Sequence, residues 1–290
     1  VINSLGELYS GYSNLYVLEN GNWAQKNVDQ AWGGNLELIK IDPNNNNTVY
    51  VTNGNTLYKS TDKGAHFTQI YNANSNISSI DVHASNSNII YLTTQGTSGQ
   101  ALKSTDGGQT FVSFSQGLPS IAKNVIVHQG QSSINPLFLG TKLGVYYRDD
   151  TLSQWEPFDT NLPNVSVTDL DINLEDGKLT ASTDGRGVWQ TNIVLEIPNI
   201  DLKITAISPL TSSIINCNNT TTPTVSVKNS GLNSISNINI NYSINSVTNT
   251  YNWTGTLTPG SSTTVTLPTQ TLSKGVYHLN VECIAANDGN

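Results

Sequence analysis

The chain of 290 residues contains no methionine, two cysteines and two arginines, and only 12% of its residues are charged. Without a methionine there is no initiator, so a processed or excised piece is expected. Low charge with abundant Asn, Ser, Thr and Gly argues against a cytosolic helical enzyme and for a secreted or cell-surface β-protein. The charge deficit has a sign. Residues 1–199 hold 18 acids and 10 bases, and residues 200–290 hold three of each, so the whole net charge of −8 falls on the first part. An acidic surface excludes nucleic acid as a partner and disfavours an anionic membrane. No run approaches the roughly 20 apolar residues of a membrane span, so no membrane insertion is expected. Helical periodicity is missing as well. So are a glycine-rich phosphate loop and any Ser/His/Asp or Cys/His constellation with meaningful spacing, so no cofactor and no metal are expected.

What the chain does have is a clock. Trp23, Phe67, Phe111 and Trp155 stand 44 residues apart. A fixed period of that length means one supersecondary unit copied in tandem. One unit reads Leu36–Ile41, Val49–Thr52, Leu57–Lys59 and Phe67–Ile70. The next reads Ile80–Val82, Ile89–Leu92, Ala101–Lys103 and Phe111–Phe114. The third reads Val125–Val127, Leu137–Leu139, Val145–Tyr147 and Trp155. Flanking them are two three-strand pieces, Glu7–Lys26 and Leu170–Trp189. Short strands with turn signals every 8–12 residues or so predict an all-β array. Four antiparallel strands per repeat predict the blades of a β-propeller over residues 1–195. It is either an unusual ring of about five blades or the C-terminal part of a larger propeller.

The turn before each aromatic is itself repeated: Ser60-Thr-Asp62-Lys-Gly64-Ala-His-Phe67 and Ser104-Thr-Asp106-Gly-Gly108-Gln-Thr-Phe111. The aspartate is expected to accept from backbone N–H groups two residues on, and Gly64 and Gly108 to supply a positive φ. These segments resemble Asp-boxes, the Ser-x-Asp-x-Gly-x-x-aromatic hairpins (BNR repeats) of sialidases, sortilin-type domains and the two-propeller xyloglucanases. A third, Arg148-Asp-Asp150-Thr-Leu-Ser-Gln-Trp155, keeps Asp150 and Trp155 but departs at Arg148 and Leu152. The resemblance implies a structural role for these residues.

Beyond Ile193 the pattern changes. Alternating runs at 224–228, 238–244, 251–254, 263–267 and 277–282 predict an immunoglobulin-like β-sandwich over 196–290. Thr222–Gly231, Asn252–Gly255 and Leu257–Gly260 resemble the CARDB-type adhesion module of bacterial extracellular proteins. Its usual final strand is expected to be missing. Cys217 and Cys283 fall in this part. Either a disulfide or two buried thiols fits their positions.

The search for chemistry returns mostly structure. A sialidase site grips a carboxylate with three arginines, and Arg148 and Arg186 are too few. Xyloglucanase-like enzymes use two carboxylates facing across a cleft. Asp42, Asp81, Asp169 and Asp171 lie on or just after first strands, yet each reads better as a turn cap. Asp62 and Asp106 belong to their turns. His83 and His128 occupy equivalent places on neighbouring units, which the repeat explains without a metal. Among the aromatics Tyr58, Tyr146, Tyr147, Trp155 and Trp189, packing between units is the expected role. Trp32, outside the repeat register, is the leading candidate for stacking on a ligand, with Tyr147 and Arg186 as further candidates.

The expected function is therefore a non-catalytic binding, adhesion or accessory region of a larger secreted or cell-surface bacterial protein. Its expected partner is a polysaccharide, a glycoprotein or the other domains of its parent. The alternatives are the C-terminal propeller of a polysaccharide-degrading glycoside hydrolase and the accessory tail of a secreted protease.

Overall fold

Strands follow from the β-branched and aromatic residues alternating with polar ones, broken by Asn and Gly turns. The structure, a computed structural model, describes all residues except 20, 28–31, 159, 209–219, 245–246, 274, 276 and 287–290. Among the described residues every helix or strand element is a strand. The chain divides into two compact units, Val1–Leu195 and Glu196–Asn290.

The first unit is a series of five antiparallel sheets, each formed by strands consecutive in sequence. Sheet one holds β1 (Tyr9–Gly11), β2 (Leu15–Glu19) and β3 (Asn22–Gln25). Sheet two holds β4 (Leu38–Asp42), β5 (Asn45–Asn53), β6 (Thr56–Ser60) and β7 (Thr68–Asn72). Sheet three holds β8 (Ile77–Val82), β9 (Ile90–Thr94), β10 (Ala101–Ser104) and β11 (Val112–Ser113). Sheet four holds β12 (Lys123–His128), β13 (Leu137–Thr141), β14 (Gly144–Arg148) and β15 (Glu156–Pro157). Sheet five holds β16 (Val167–Asn173), β17 (Lys178–Thr183) and β18 (Gly187–Asn192).

No sheet buries both faces alone, so each seam between successive sheets is a small apolar core. Tyr9, Leu15 and Val17 meet Val49 and Val51. Tyr50 and Leu57 meet Ile80, Ile90 and Leu92. Tyr91 and Ala101 meet Ile126, Leu139 and Trp155. Val125, Phe138 and Val145 meet Val167, Leu170 and Leu179. β13 is buried throughout, and its side chains alternate between the third and fifth sheets. The clock aromatics occupy these seams. Phe67 joins the first, Phe111 the second and Trp155 the third.

The first strands of sheets three, four and five carry a register shift at one repeated place, around Ser78, Asn124 and Thr168. Such a bulge re-aims a side chain. Ser78 Oγ donates to Lys123 O at 2.5 Å, and Asn124 Nδ2 donates to Val167 O at 2.7 Å. Each bulge thus ties its sheet to the carbonyl just before the next one. Thr168 instead donates to Ser182 O of its own sheet, at 3.2 Å.

The two intact turns share one hydrogen-bond pattern. Ser60 Oγ donates to Asp62 Oδ1 at 2.7 Å and accepts from the Asp62 and Gly64 N–H groups at 3.2 and 2.8 Å. In the second turn the same three distances are 2.8, 3.3 and 2.9 Å. Asp62 Oδ1 accepts from the His66 N–H at 3.0 Å, and Asp106 Oδ1 from the Thr110 N–H at 2.9 Å. The expectation that the aspartate accepts two residues on is corrected: the serine makes that short link, while the aspartate reaches four residues on. These bonds to its ionised form hold the Asp62 carboxyl down at about 2, chiefly the His66 backbone N–H. Asp106 also sits at about 2, chiefly through the Thr110 hydroxyl. Gly64 and Gly108 have φ of +87° and +95°.

The third turn corrects the assignment of Asp150. Asp149 is its staple, accepting from the Thr151 N–H at 2.8 Å, the Thr151 hydroxyl at 2.6 Å and the Tyr147 hydroxyl at 2.7 Å. Asp150 faces away and accepts from Asn135 Nδ2 at 2.5 Å. With no serine at position 148, the neighbouring carboxylate supplies the acceptor.

The second unit is a β-sandwich. Its strands are β19 (Leu202–Ser208), β20 (Thr220–Thr221), β21 (Thr224–Asn229), β22 (Ile235–Ile244), β23 (Val247–Leu257), β24 (Ser262–Thr266), β25 (Gln270–Thr271) and β26 (Leu279–Ala285). One sheet runs β19-β21-β24, another β23-β22-β26, and β20 pairs β25. Alternate residues Val225, Val227, Ile238 and Ile240 are fully buried between them. Buried Asn229 holds the 229–231 turn, donating to Asn233 O and Leu257 O and accepting from the Gly231 N–H. Cys283 is half-buried, and burial raises its thiol to about 11. Cys217, the other half of the candidate bridge, lies outside the described residues.

Candidate functional site

The seam between sheets four and five opens into a groove of about 280 Å³. Val145, Phe158, Leu162, Leu179 and Trp189 form its apolar part, and Thr160, Asn161, Gln190 and Thr191 its polar part. Among the described residues no carboxylate, base or cysteine lines it; Asp159, between Phe158 and Thr160, lies outside them. The site follows from the repeat. β17 and β18 pair Ala181 with Trp189 and Leu179 with Thr191, so these side chains share the face turned toward sheet four. Among the described residues sheets two, three and four have four strands and sheet five has three, and Trp189 on its last strand keeps 39% of its surface exposed. The indole N–H of Trp189 donates to Arg186 O at 3.0 Å, which fixes the ring against the β17–β18 turn. Opposite, Phe158 is held by Phe138 and Tyr147, with ring centroids 5.2 and 5.8 Å away. Asn161 sits in the loop between them with a φ of +66°, the left-handed conformation asparagine tolerates best after glycine.

The residues singled out in the sequence are placed differently. Trp32 is no platform. It is 7% exposed, and its ring meets Tyr58 and Phe67 edge-on at 4.9 and 5.2 Å. Its ring lies in the first seam, where a large apolar ring is worth more buried than wet. Tyr147 donates its hydroxyl to Asp149 and stacks on Phe158, so it braces the groove from behind. Of the three candidates only Arg186 borders the groove, through its carbonyl. Trp155 is 1% exposed and donates its indole N–H to Phe114 O at 2.9 Å. Phe158, Thr160, Asn161 and Leu162 carry no motif and were not singled out. The one available signal was Asn161-Leu-Pro-Asn164, a turn following a clock aromatic.

The candidate carboxylates do not converge. Asp42 is buried and caps the Asn44 N–H at 2.9 Å. Asp81 pairs with Lys40 at 2.6 Å and accepts from the His128 N–H at 2.6 Å, joining sheets two, three and four. Asp169 and Asp171 lie two apart on β16, exposed on the outward face of sheet five. His83 and His128 stack with centroids 4.1 Å apart. His83 Nε2 lies 2.7 Å from Asn135 Oδ1, and His128 Nδ1 accepts from the Ala84 N–H at 3.3 Å. Burial first and the neighbouring His83 second push the His128 pKa down to about 4. No cluster of three or more His, Cys, Asp or Glu that could hold a metal occurs among the described residues.

No family model matches the sequence, and no curated protein is similar to it. Solved structures do match. A GH74 enzyme of Niastella koreensis aligns with 78% of this chain at 18% identity and a TM-score of 0.53. The GH74 xyloglucanase of Xanthomonas campestris aligns with 79% at 11% identity and a TM-score of 0.53. The β-propeller domain of Cps50 (Swd1) from Myceliophteria thermophila aligns with 69% of this chain and 64% of its own at 14% identity and a TM-score of 0.54. The first unit has the β-propeller fold. The chain spans about 40% of the length of the two GH74 proteins, 40% of one and 41% of the other.

Proposed function

We propose that this chain is a non-catalytic, carbohydrate-contacting region of a secreted or cell-surface bacterial protein, with the groove at Trp189 as its contact site. The observation that carries this reading is the composition of the groove. It offers one fixed, partly exposed indole and an apolar floor beside Thr160, Asn161 and Thr191, and among the described residues no charged side chain lines it. A sugar ring presents apolar C–H faces and neutral hydroxyls, which is the complement of that lining. Its volume stands just below the roughly 300 Å³ at which small-molecule pockets begin, so one sugar unit at a chain end or side branch is the expected occupant. The repeated Ser-x-Asp-x-Gly turns are read as Asp-boxes, and the sandwich as an immunoglobulin-like CARDB-type spacer or adhesion module.

The likeness to two GH74 structures supports a carbohydrate setting and keeps a second reading in play, the C-terminal propeller of a longer glycoside hydrolase. In that reading too, the groove serves binding, because its described lining holds no carboxylate. The test is a tryptophan fluorescence titration with xyloglucan, β-glucan and mucin-type oligosaccharides. A saturable change with at least one of them, lost in Trp189→Ala with the far-UV spectrum unchanged, is expected. Silence with all three classes refutes sugar recognition at this groove.

A further inference from the structure

The groove has a filled counterpart one repeat earlier. Val145, Phe158 and Leu162 stand 44 residues after Ala101, Phe114 and Leu118. On the other wall, the registers of β13–β14 and β17–β18 match Ala181 and Trp189 with Leu139 and Tyr146. The five earlier residues belong to the cluster that encloses Trp155 in the third seam. The five later ones line the groove. The groove is therefore the place that Trp155 fills one sheet earlier, and among the described residues no side chain fills it in the fourth seam.

The bonds that hold Trp155 show what the groove offers. The Trp155 indole N–H donates to Phe114 O and its backbone N–H to Gln116 O, both at 2.9 Å. Arg148 Nη1 also donates to Phe114 O, at 3.0 Å. One repeat on, the two acceptors are Phe158 O and Thr160 O, and the register puts Thr191 where Arg148 stood. Among the described residues neither carbonyl accepts a hydrogen bond. Each keeps its lone pairs for a donor brought by the ligand.

A strand does not refill this place as it does in the third seam. Gly117 lies against the Trp155 main chain, where a Cβ would stand 2.4 Å from Trp155 O and 3.0 Å from Trp155 N. Its counterpart is Asn161, which has the same left-handed backbone, φ +66° against +85°, and does carry a Cβ. A chain following the path of Trp155 meets that Cβ, whereas a ring that brings no main chain does not.

We infer that the groove selects its ligand by hydrogen-bond donors. The occupant is a ring lying where the Trp155 indole lies in the third seam, packed on Trp189, with its edge donating to Phe158 O and Thr160 O. For a sugar unit, which rests on the carbohydrate contact proposed for this groove, the requirement is two free hydroxyls on one edge. A unit O-alkylated or O-acylated at those hydroxyls loses both donors and is refused.

Indole is the probe, because it carries the ring and the N–H of the Trp155 side chain and no sugar chemistry. Titrated into the 290-residue chain and followed by the 1H–15N signals of the tryptophan side chains, it should saturate with a dissociation constant on the order of millimolar. The signal that shifts should be the one absent from Trp189→Phe. 1-Methylindole, which has no donor, should bind at least about fivefold more weakly, because it leaves a covered carbonyl unpaired. A peptide of residues 152–158, which carries Trp155 on its own main chain, should bind no more tightly than indole. In Asn161→Gly, shown to be folded by far-UV spectrum and thermal midpoint, that peptide should gain at least about fivefold. Absence of saturation by indole overturns the proposal, and so does equal binding of 1-methylindole. A peptide that binds the unaltered chain roughly tenfold tighter than indole also overturns it and makes a strand the occupant. Saccharide binding without indole binding overturns the donor-selecting socket and keeps the carbohydrate contact; indole binding with saccharide silence does the reverse.

Discussion

Replacing Gly64 by alanine separates two constraints that coincide at one residue. The first is backbone conformation. With φ at +87°, an L-residue there is strained by about 1–2 kcal/mol. The second is space. A Cβ at Gly64 would lie 2.3 Å from Leu15 Cδ2, and Leu15 is fully buried in the first seam. Leu15 must move within a core that has no room, which adds about 1–3 kcal/mol. The sum, about 2–5 kcal/mol, is a large share of the 5–15 kcal/mol or so of a typical domain. Gly185→Ala is the control, because Gly185 has φ at +77° with nothing within 4 Å of its Cβ position. Urea unfolding followed by tryptophan fluorescence reads mainly the first unit, which holds four of the five tryptophans. Gly64→Ala should lower the midpoint more than Gly185→Ala, the difference being the steric part. Equal midpoints would show that the turn does not press on the preceding sheet, and the account of how the sheets are spaced would fail. Gly108 repeats the arrangement, with Ile70 Cδ1 2.6 Å from its Cβ position.

Acid should weaken the first unit through His128. Its pKa is lowered to about 4 on folding, so between pH 6.5 and 4 the unfolded chain binds more protons, and stability falls as pH falls through that window. The loss from pH 7 to pH 4.5 should be about 2 kcal/mol. His128→Phe should flatten urea midpoints over that range, and an unaltered slope would refute the assignment. Asn124→Ala should speed amide exchange across β16–β18, because Val167 O loses the donor that ties sheet five to sheet four. Thr168→Ala, whose hydroxyl bonds within its own sheet, should leave exchange in β12–β15 untouched.

The array was legible because a 44-residue period carries its own alignment. Once Phe67 and Phe111 are matched, every strand between them is matched too, and the three-strand ends follow by counting. The failures occur where the period stops helping. Arg148 displaces the serine, and the staple moves one residue back to Asp149, a change that two adjacent aspartates conceal. Trp32 stands out of register, which looks like freedom for a ligand. In fact its ring lies in the first seam, edge-on to Phe67. The groove was invisible for the opposite reason. Its residues are ordinary, and what makes it a site is a missing fourth strand beside β18, which leaves Trp189 half in a seam and half in solvent.

The same positions change character along the array, and the change is ordered. The bulge side chain reaches the next sheet at Ser78 and Asn124 and turns back at Thr168. The second-strand aromatic is present at Tyr50, Tyr91 and Phe138 and replaced at Thr180. The third-strand aliphatic is buried at Leu57, Ala101 and Val145, while at Val188 it is 69% exposed. Three independent features thus stop together at sheet five, while at sheet one the backward-facing aromatic of the clock is retained. A repeat that had only drifted would lose such features separately and at both ends. Losing all three at sheet five and keeping the aromatic at sheet one gives the array a direction: on the face of sheet five away from sheet four, the register of the buried aromatic is held by Thr180 between Asp171 and Gln190.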